Sequence, residues 1–431
     1  VTTKQQASAS SGLLDRFDWR VMAQASLAAF VTYLSMYAFR KPFTAATYEG
    51  RSVLGIDYKI LLIVLQLIGY TLSKFIGVRF VSSLPKASRM RALATLMATA
   101  WLSLLLFAIV PYPYNAVCMF LNGLPLGMIW GVVFSYLEGR RTTELLGGIM
   151  ASSFIVSSGL VKNIGVGVLV SARADEFWMP FVTAALFLPL LLTGMYLLHR
   201  VPLPSREDVD RRSARDPMTA KERKAFFGQF APGILSAVLL YVALTVFRDL
   251  RDNFAVEIWG ELGYSGMPQL LVLSEIPIAF SVLLLISLMV LMHNNRIAFH
   301  TTHFFCIACG LLLFGGTWLH DRHILGSIGW MIVAGFSMYL PYMCYHTLYF
   351  ERWIAHYRVR GNIGYLMYLS DSFGYLGSTA VLLFRNFSDS GTGWLPFFSW
   401  SAGLVSIAMI LLGLTSLAFF RSMDRWQNQM T

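Results

Sequence analysis

Hydrophobic and polar positions along the chain fall into long blocks. Twelve apolar runs, roughly 21–48, 58–80, 91–110, 114–137, 147–171, 178–199, 230–258, 269–292, 297–318, 324–349, 361–384 and 395–420, are separated by short polar stretches. A membrane-crossing helix needs about 20 apolar residues, so each run is long enough to span. The pattern predicts an all-α membrane protein of twelve transmembrane helices. The longest hydrophilic stretch, "HRVPLPSREDVDRRSARDPMTAKERKAFFGQ" (199–229), divides six spans from six. This organisation predicts an N-terminal bundle over 1–198, a central loop over 199–229, and a C-terminal bundle over 230–431. Within the loop, "SARDPMTAKERKAFF" (213–227) reads as a short surface helix.

Composition agrees with the pattern. Of 431 residues, 56% are hydrophobic and 13% charged, against about 45–50% and 25% in soluble domains. The first eighteen residues are polar, which predicts no cleaved leader. All four cysteines fall inside spans, where "CIAC" (306–309) reads as small packing residues. No His, Cys and carboxylate set shares a face, so neither a metal nor a cofactor is expected.

The net charge of +11 follows from topology. With an inside N-terminus, 23 Lys and Arg lie on the inner side and five on the outer. The positive-inside rule then places both termini in the cytoplasm, in the cell's inner membrane. The basic excess needs no nucleic acid to explain it. Six cations remain within spans: Arg40, Lys41, Lys74, Lys162, Arg248 and Arg251. Four acids accompany them: Asp249, Asp252, Glu275 and Asp371.

An internal repeat relates the halves. "YLSMYAFR" (33–40) matches "YVALTVFR" (241–248), and "YLEGRRTTELLGG" (136–148) is similar to "YFERWIAHYRVRGN" (349–362). On the first helix, Tyr33, Tyr37, Arg40 and Thr44 are expected on one face. Tyr241, Thr245, Arg248 and Asp252 are expected likewise on the seventh. Charges inside a membrane are costly and mark ion or substrate paths. Arginine's planar fork suits a phosphate or carboxylate. Blander readings stand beside this one: snorkelling for Arg40 and Lys74, ion pairing to Asp249 and Asp252 for Arg248, and a structural role for Lys162. Six cations against four acids leave +2, which suits a multiply charged anion. Glu138 with Arg140 or Arg141, and Glu351 with Arg352, are candidate latches between the inner ends of the bundles. Enzyme chemistry fits poorly, because no nucleophile–base pair stands out.

Two bundles of six helices with a basic central loop resemble the major facilitator superfamily, whose halves are related by a pseudo-two-fold axis. More narrowly, "YAFRKPF", "YTLSKFIG", "ALTVFRD" and "SEIP" are similar to the organophosphate:phosphate antiporters. That resemblance implies exchange of an organophosphate for inorganic phosphate, by alternating access in a monomer within the lipid bilayer. It implies phosphate binding by Arg40 and Arg248, with Lys74 nearby, and an acid at Glu275. Tyr33, Tyr37 and Tyr241 would add hydroxyl contacts, with Lys162 also at the site. A histidine that some members carry on the fifth helix falls on Ser157, whose repeat partner is Asp371. Two alternatives remain open. One is a proton-coupled carboxylate symporter, with the proton on Asp371 or Glu275. The other is a sensor that binds a phosphorylated metabolite without transporting it.

Overall fold

The computed structural model describes residues 19–138, 140, 143–171, 173–202, 220–357, 363–388 and 393–430. It is helical almost throughout, apart from a two-strand hairpin that pairs Ser52–Val53 with Ile56–Asp57. Six long helices form the first half: α1 Trp19–Tyr37, α2 Tyr58–Ser83, α3 Arg89–Ile109, α4 Val117–Phe134, α5 Thr143–Ser171 and α6 Met179–His199. Six more form the second: α7 Ala220–Asn253, α8 Glu275–Val290, α9 Asn295–Asp321, α10 Ser327–Cys344, α11 Ile363–Ser388 and α12 Trp394–Met430. Among the described residues, ten helices are long and apolar enough to cross a membrane. The chain is a multi-pass membrane protein. α1 and α11 complete the twelve long helices but are not among those ten.

Several boundaries differ from the sequence expectation. The first apolar run does not stay helical to residue 48. α1 stops at Tyr37, residues 38–41 turn, and Pro42–Ala45 form a single 3₁₀ turn. Pro42 has no N–H and cannot continue the helix's hydrogen-bond ladder, so the apolar run still breaks here. Thr44 therefore leaves the expected stripe, and its hydroxyl caps the Lys41 carbonyl at 2.8 Å. The seventh run starts earlier than expected. α7 begins at Ala220, bends at Phe230 just before Pro232, and absorbs the end of the expected surface helix. Residues 213–219 of that helix lie outside the described residues. α10 leads into a π-helical turn, Tyr345–Tyr349, and then a short helix, Phe350–Tyr357.

A helix that stops inside a membrane exposes carbonyls that need partners. Two buried amides supply them. Gln66 on α2 donates to the Arg40 carbonyl at 2.8 Å and to Asn122 Oδ1 at 2.8 Å. Asn122 on α4 donates to the Phe39 and Ala100 carbonyls, both at 3.0 Å. This network fixes the turn that carries Arg40 and Lys41.

Close helix approach relies on glycine. A Cβ on Gly123 of α4 would sit 2.8 Å from the Tyr70 amide of α2. One on Gly159 of α5 would sit 2.8 Å from the Leu271 carbonyl carbon, across the boundary between halves. Gly123→Val and Gly159→Val should each lower the thermal unfolding midpoint of the detergent-purified protein, at a cost of at least about 1–3 kcal/mol. Gly403→Ala, with no neighbour within 4 Å of the new atom, should leave the midpoint unchanged.

Candidate functional site

A cavity of about 550 Å³ lies between the two halves. The turn after α1 contributes Arg40 and Lys41, α2 contributes Tyr70 and Lys74, and α5 contributes Phe154 and Ser158. From the second half, α7 contributes Arg248, Asp249 and Asp252, α10 Tyr339 and Tyr342, the π turn His346, and α11 Asp371 and Tyr375. The cavity extends past Trp130 and Phe134 on α4 to Leu84, Arg89 and Glu138, at the same end of the bundle as the start of α1.

At the opposite end, polar contacts tie the halves together. Lys41 bonds Asn253 Oδ1 at 2.7 Å. Lys59 pairs with Glu257 and donates to the Thr44 carbonyl at 2.8 Å. The Asn386 side chain receives the Asp57 amide at 2.9 Å and donates to the Gly55 carbonyl at 3.0 Å.

The embedded charges are matched unevenly. Arg248 binds Asp249 Oδ1 through Nε at 3.1 Å and Nη2 at 2.7 Å, and donates to the Tyr342 hydroxyl. Arg251 pairs with Glu275 at 2.6 Å. Lys74 pairs with Asp371, whose other oxygen accepts the Tyr241 hydroxyl at 2.5 Å. Asp252 serves two lysines, Lys41 at 2.5 Å and Lys162 at 2.7 Å, and also accepts from Ser158. All four acids are thereby engaged.

Arg40 remains. It is 7% exposed and lies 4.0 Å from the centre of the Tyr70 ring and 5.8 Å from that of Tyr37. Among the described residues its side chain has no carboxylate partner, and its Nε is buried without a hydrogen bond. The surplus of two positive charges is thus located. One is on Arg40, and one is in the Lys41–Asp252–Lys162 group.

The fold brings most sequence candidates together. Tyr33, Tyr37, Arg40, Lys74, Arg248, Asp252 and Asp371 line the cavity. Arg40 and Lys74 both line the cavity, and Lys41 and Arg251 are buried, 6% and 3% exposed. Tyr241 and Lys162 stand behind the lining and hold Asp371 and Asp252 respectively. Glu275 is spent on Arg251 outside the cavity. Ser157 turns back to the Ser153 carbonyl, and its neighbour Ser158 takes the lining position.

Glu138 lies at the cavity mouth, Arg140 donates to the Pro202 carbonyl, and Arg141 lies outside the described residues. Arg352, beside Glu351 on the short helix, donates to Asn295 Oδ1 at 2.8 Å. Sequence reasoning missed Tyr70, Trp130, Tyr342, His346 and Tyr375. They read there as ordinary membrane aromatics, since nothing in their spacing marks which face meets the cavity.

One further cluster was not visible in the sequence. His300 of α9, His356 of the short helix and Asp424 of α12 place their donor atoms within 4.8 Å of one another. Asp424 already accepts four hydrogen bonds, from Arg296 at 3.0 Å, His300 and His356 at 2.9 Å, and Tyr357 at 2.8 Å. It acts as a polar knot joining three helices.

Residues 42–423 match a family described as "Family of unknown function (DUF5690)". The chain belongs to that family. No curated protein matches the sequence. Among solved structures, the fold is similar to that of a D-xylose-proton symporter, with TM-score 0.62 and 13% identity, covering 93% of this chain and 97% of that one. It is similar to the major facilitator superfamily proton:xylose symporter XylE bound to 6-bromo-6-deoxy-D-glucose (0.62, 14%, 94% and 96%). It is also similar to a point mutant of the nucleoside transporter NupG (0.60, 12%, 93% and 100%). At these identities the likeness shows the fold, which is the all-α major facilitator fold expected from the sequence.

Asp252→Asn would leave Lys41 and Lys162 facing one another without their shared anion. Removing one partner of a buried ion pair costs about 3–5 kcal/mol, so this variant should unfold at markedly lower temperature in detergent. Adding Lys162→Met should recover part of the loss. A silent Asp252→Asn would contradict the assigned pairing.

Proposed function

We propose that the protein is a secondary active transporter of a small organic anion, with phosphate or a phosphorylated metabolite as the favoured cargo and inorganic phosphate as the exchanged ion. The carrying observation is Arg40, a buried cavity-lining guanidinium with no carboxylate partner among the described residues, while all four embedded acids are engaged. An unpaired charge in a low-dielectric interior is held at a cost of several kcal/mol, and a bound anion offsets it. Arg248 and Lys74 line the same cavity from α7 and α2. Each is paired to an acid that a dianion can replace with charge-assisted hydrogen bonds of its own.

The charge asymmetry of the loops favours a cytoplasmic position for the cavity mouth, at Leu84, Arg89 and Glu138. This arrangement corresponds to a carrier open inward and closed outward by the contacts of Lys41, Lys59 and Asn386. Binding of an anion removes the repulsion among Arg40, Lys41 and Lys162. The halves can then rock closed over it. An empty carrier keeps its +2 surplus and resists that step, which gives obligatory exchange. A neutral sugar or nucleoside, cargo named for the structural neighbours, leaves the surplus uncompensated.

One observation favours a second reading. Asp371 is held jointly by Lys74 and Tyr241. An anion that draws Lys74 away leaves a buried carboxylate, which then favours its protonated form. That sequence yields proton-coupled symport of an anion through the same residues.

Proteoliposomes loaded with inorganic phosphate should take up external labelled phosphate by exchange. Arg40→Ala should weaken binding about 10–100-fold, the worth of a lost charge-assisted hydrogen bond. Uptake that follows a pH gradient and ignores internal phosphate would select the symport reading. Phosphate binding without exchange would select a sensor. Neither binding nor uptake, from folded protein, would overturn the proposal.

A further inference from the structure

The anion end of the cavity leaves most of its volume unexplained. At about 550 Å³ it lies in the range of pockets that hold whole small organic molecules, well above the needs of an inorganic phosphate. The remaining wall has a definite character. Nine of its 28 lining residues are Phe, Trp or Tyr, against 14% for the whole chain. Trp130 stands at its centre, on α4. Its ring meets Tyr33 edge-on at 5.1 Å, stacks with Phe134 at 6.3 Å, and meets His346 from the opposite half at 5.4 Å.

Equally telling is what the wall does not offer. The lining contains no Asn, Gln or Thr among the described residues. Its two serines are already committed, Ser135 to the Val132 carbonyl at 2.6 Å and Ser158 to Asp252. The tyrosines Tyr37 and Tyr70 are gathered around Arg40, where they face the charged group. Beside Trp130 the polar atoms on offer are few, the Tyr33 hydroxyl and the His346 ring, so a cargo with many hydroxyls would leave some of them without partners, at a cost for each. A flat apolar ring gains area burial and ring–ring contact there instead.

We infer that the cargo is an aromatic anion: a phosphoryl or other doubly charged head on Arg40, carrying a planar ring seated against Trp130 and Phe134. This rests on the anion reading above and specifies the organic part, which that reading leaves open. Direction follows as well. The charged head enters first and lies deep, beside Lys41 and Asp252. The ring follows and occupies the wall nearer the mouth.

Calorimetric binding to the full chain in lipid nanodiscs separates the two claims. The probes are inorganic phosphate, phenyl phosphate, 1-naphthyl phosphate and glycerol 3-phosphate. The expected result is that the aryl phosphates bind about tenfold or more tightly than glycerol 3-phosphate. Trp130→Ala should collapse that ratio toward one, and Trp130→Phe, which keeps a ring and guards against misfolding, should retain most of it. Equal affinity for aryl and glyceryl phosphates overturns the aromatic inference and leaves anion binding standing. So does selectivity that survives Trp130→Ala. Absence of binding by all four probes, in protein with an unchanged unfolding midpoint, overturns the anion reading and this inference with it.

Discussion

Besides the Lys59–Glu257 pair, six cations and four carboxylates are held in the interior of this protein, and the rest of the structure is arranged around that imbalance. Interior ion pairs are held by geometry, because desolvation consumes most of their attraction. Each acid here accordingly has a defined task. Asp249 holds Arg248, Glu275 holds Arg251, Asp371 holds Lys74, and Asp252 holds Lys41 and Lys162 at once. Three of these links cross between the halves directly, Lys74 with Asp371, and Lys41 and Lys162 with Asp252. The charge network is therefore also part of the interface that a transport cycle would have to break and remake.

The backbone serves the same constraint. A continuous first helix would keep Arg40 in line with Tyr33 and Tyr37 on one helical face. Instead the chain stops at Tyr37 and turns, and Gln66 and Asn122 satisfy the freed carbonyls. The guanidinium then lies over Tyr70, buried and without an acid. Leaving a cation in that state is costly, and a structure that spends two buried amides on holding its turn in place has a site to complete.

How much of this could be read from the sequence follows from range. The long apolar helices and most of the charges inside them are local features, and these were legible. Which acid takes which cation was not. Asp252 and Lys41 are 211 positions apart, and only the packing of α7 against the turn after α1 brings them together. The break at Tyr37 was hidden because Ala38 and Phe39 continue the apolar run, and only Pro42 hints at it. Ser157 and Ser158 differ by one residue, or about 100° on a helix. Counting from a distant motif could not choose between them. The aromatic wall was invisible for another reason: Trp130, Tyr342 and His346 sit in runs where any aromatic is unremarkable, and Trp130 meets His346 only once α4 packs against the π turn after α10.

The central claim is that Arg40 is unpaired because an anion completes it. The most direct measurement is a crystal structure of the protein soaked in selenate, located by anomalous scattering. A single strong peak within hydrogen-bond distance of the Arg40 guanidinium, lost in Arg40→Ala crystals, is the predicted result. A cavity without a peak at saturating selenate, or a peak that persists unmoved in Arg40→Ala, would contradict it.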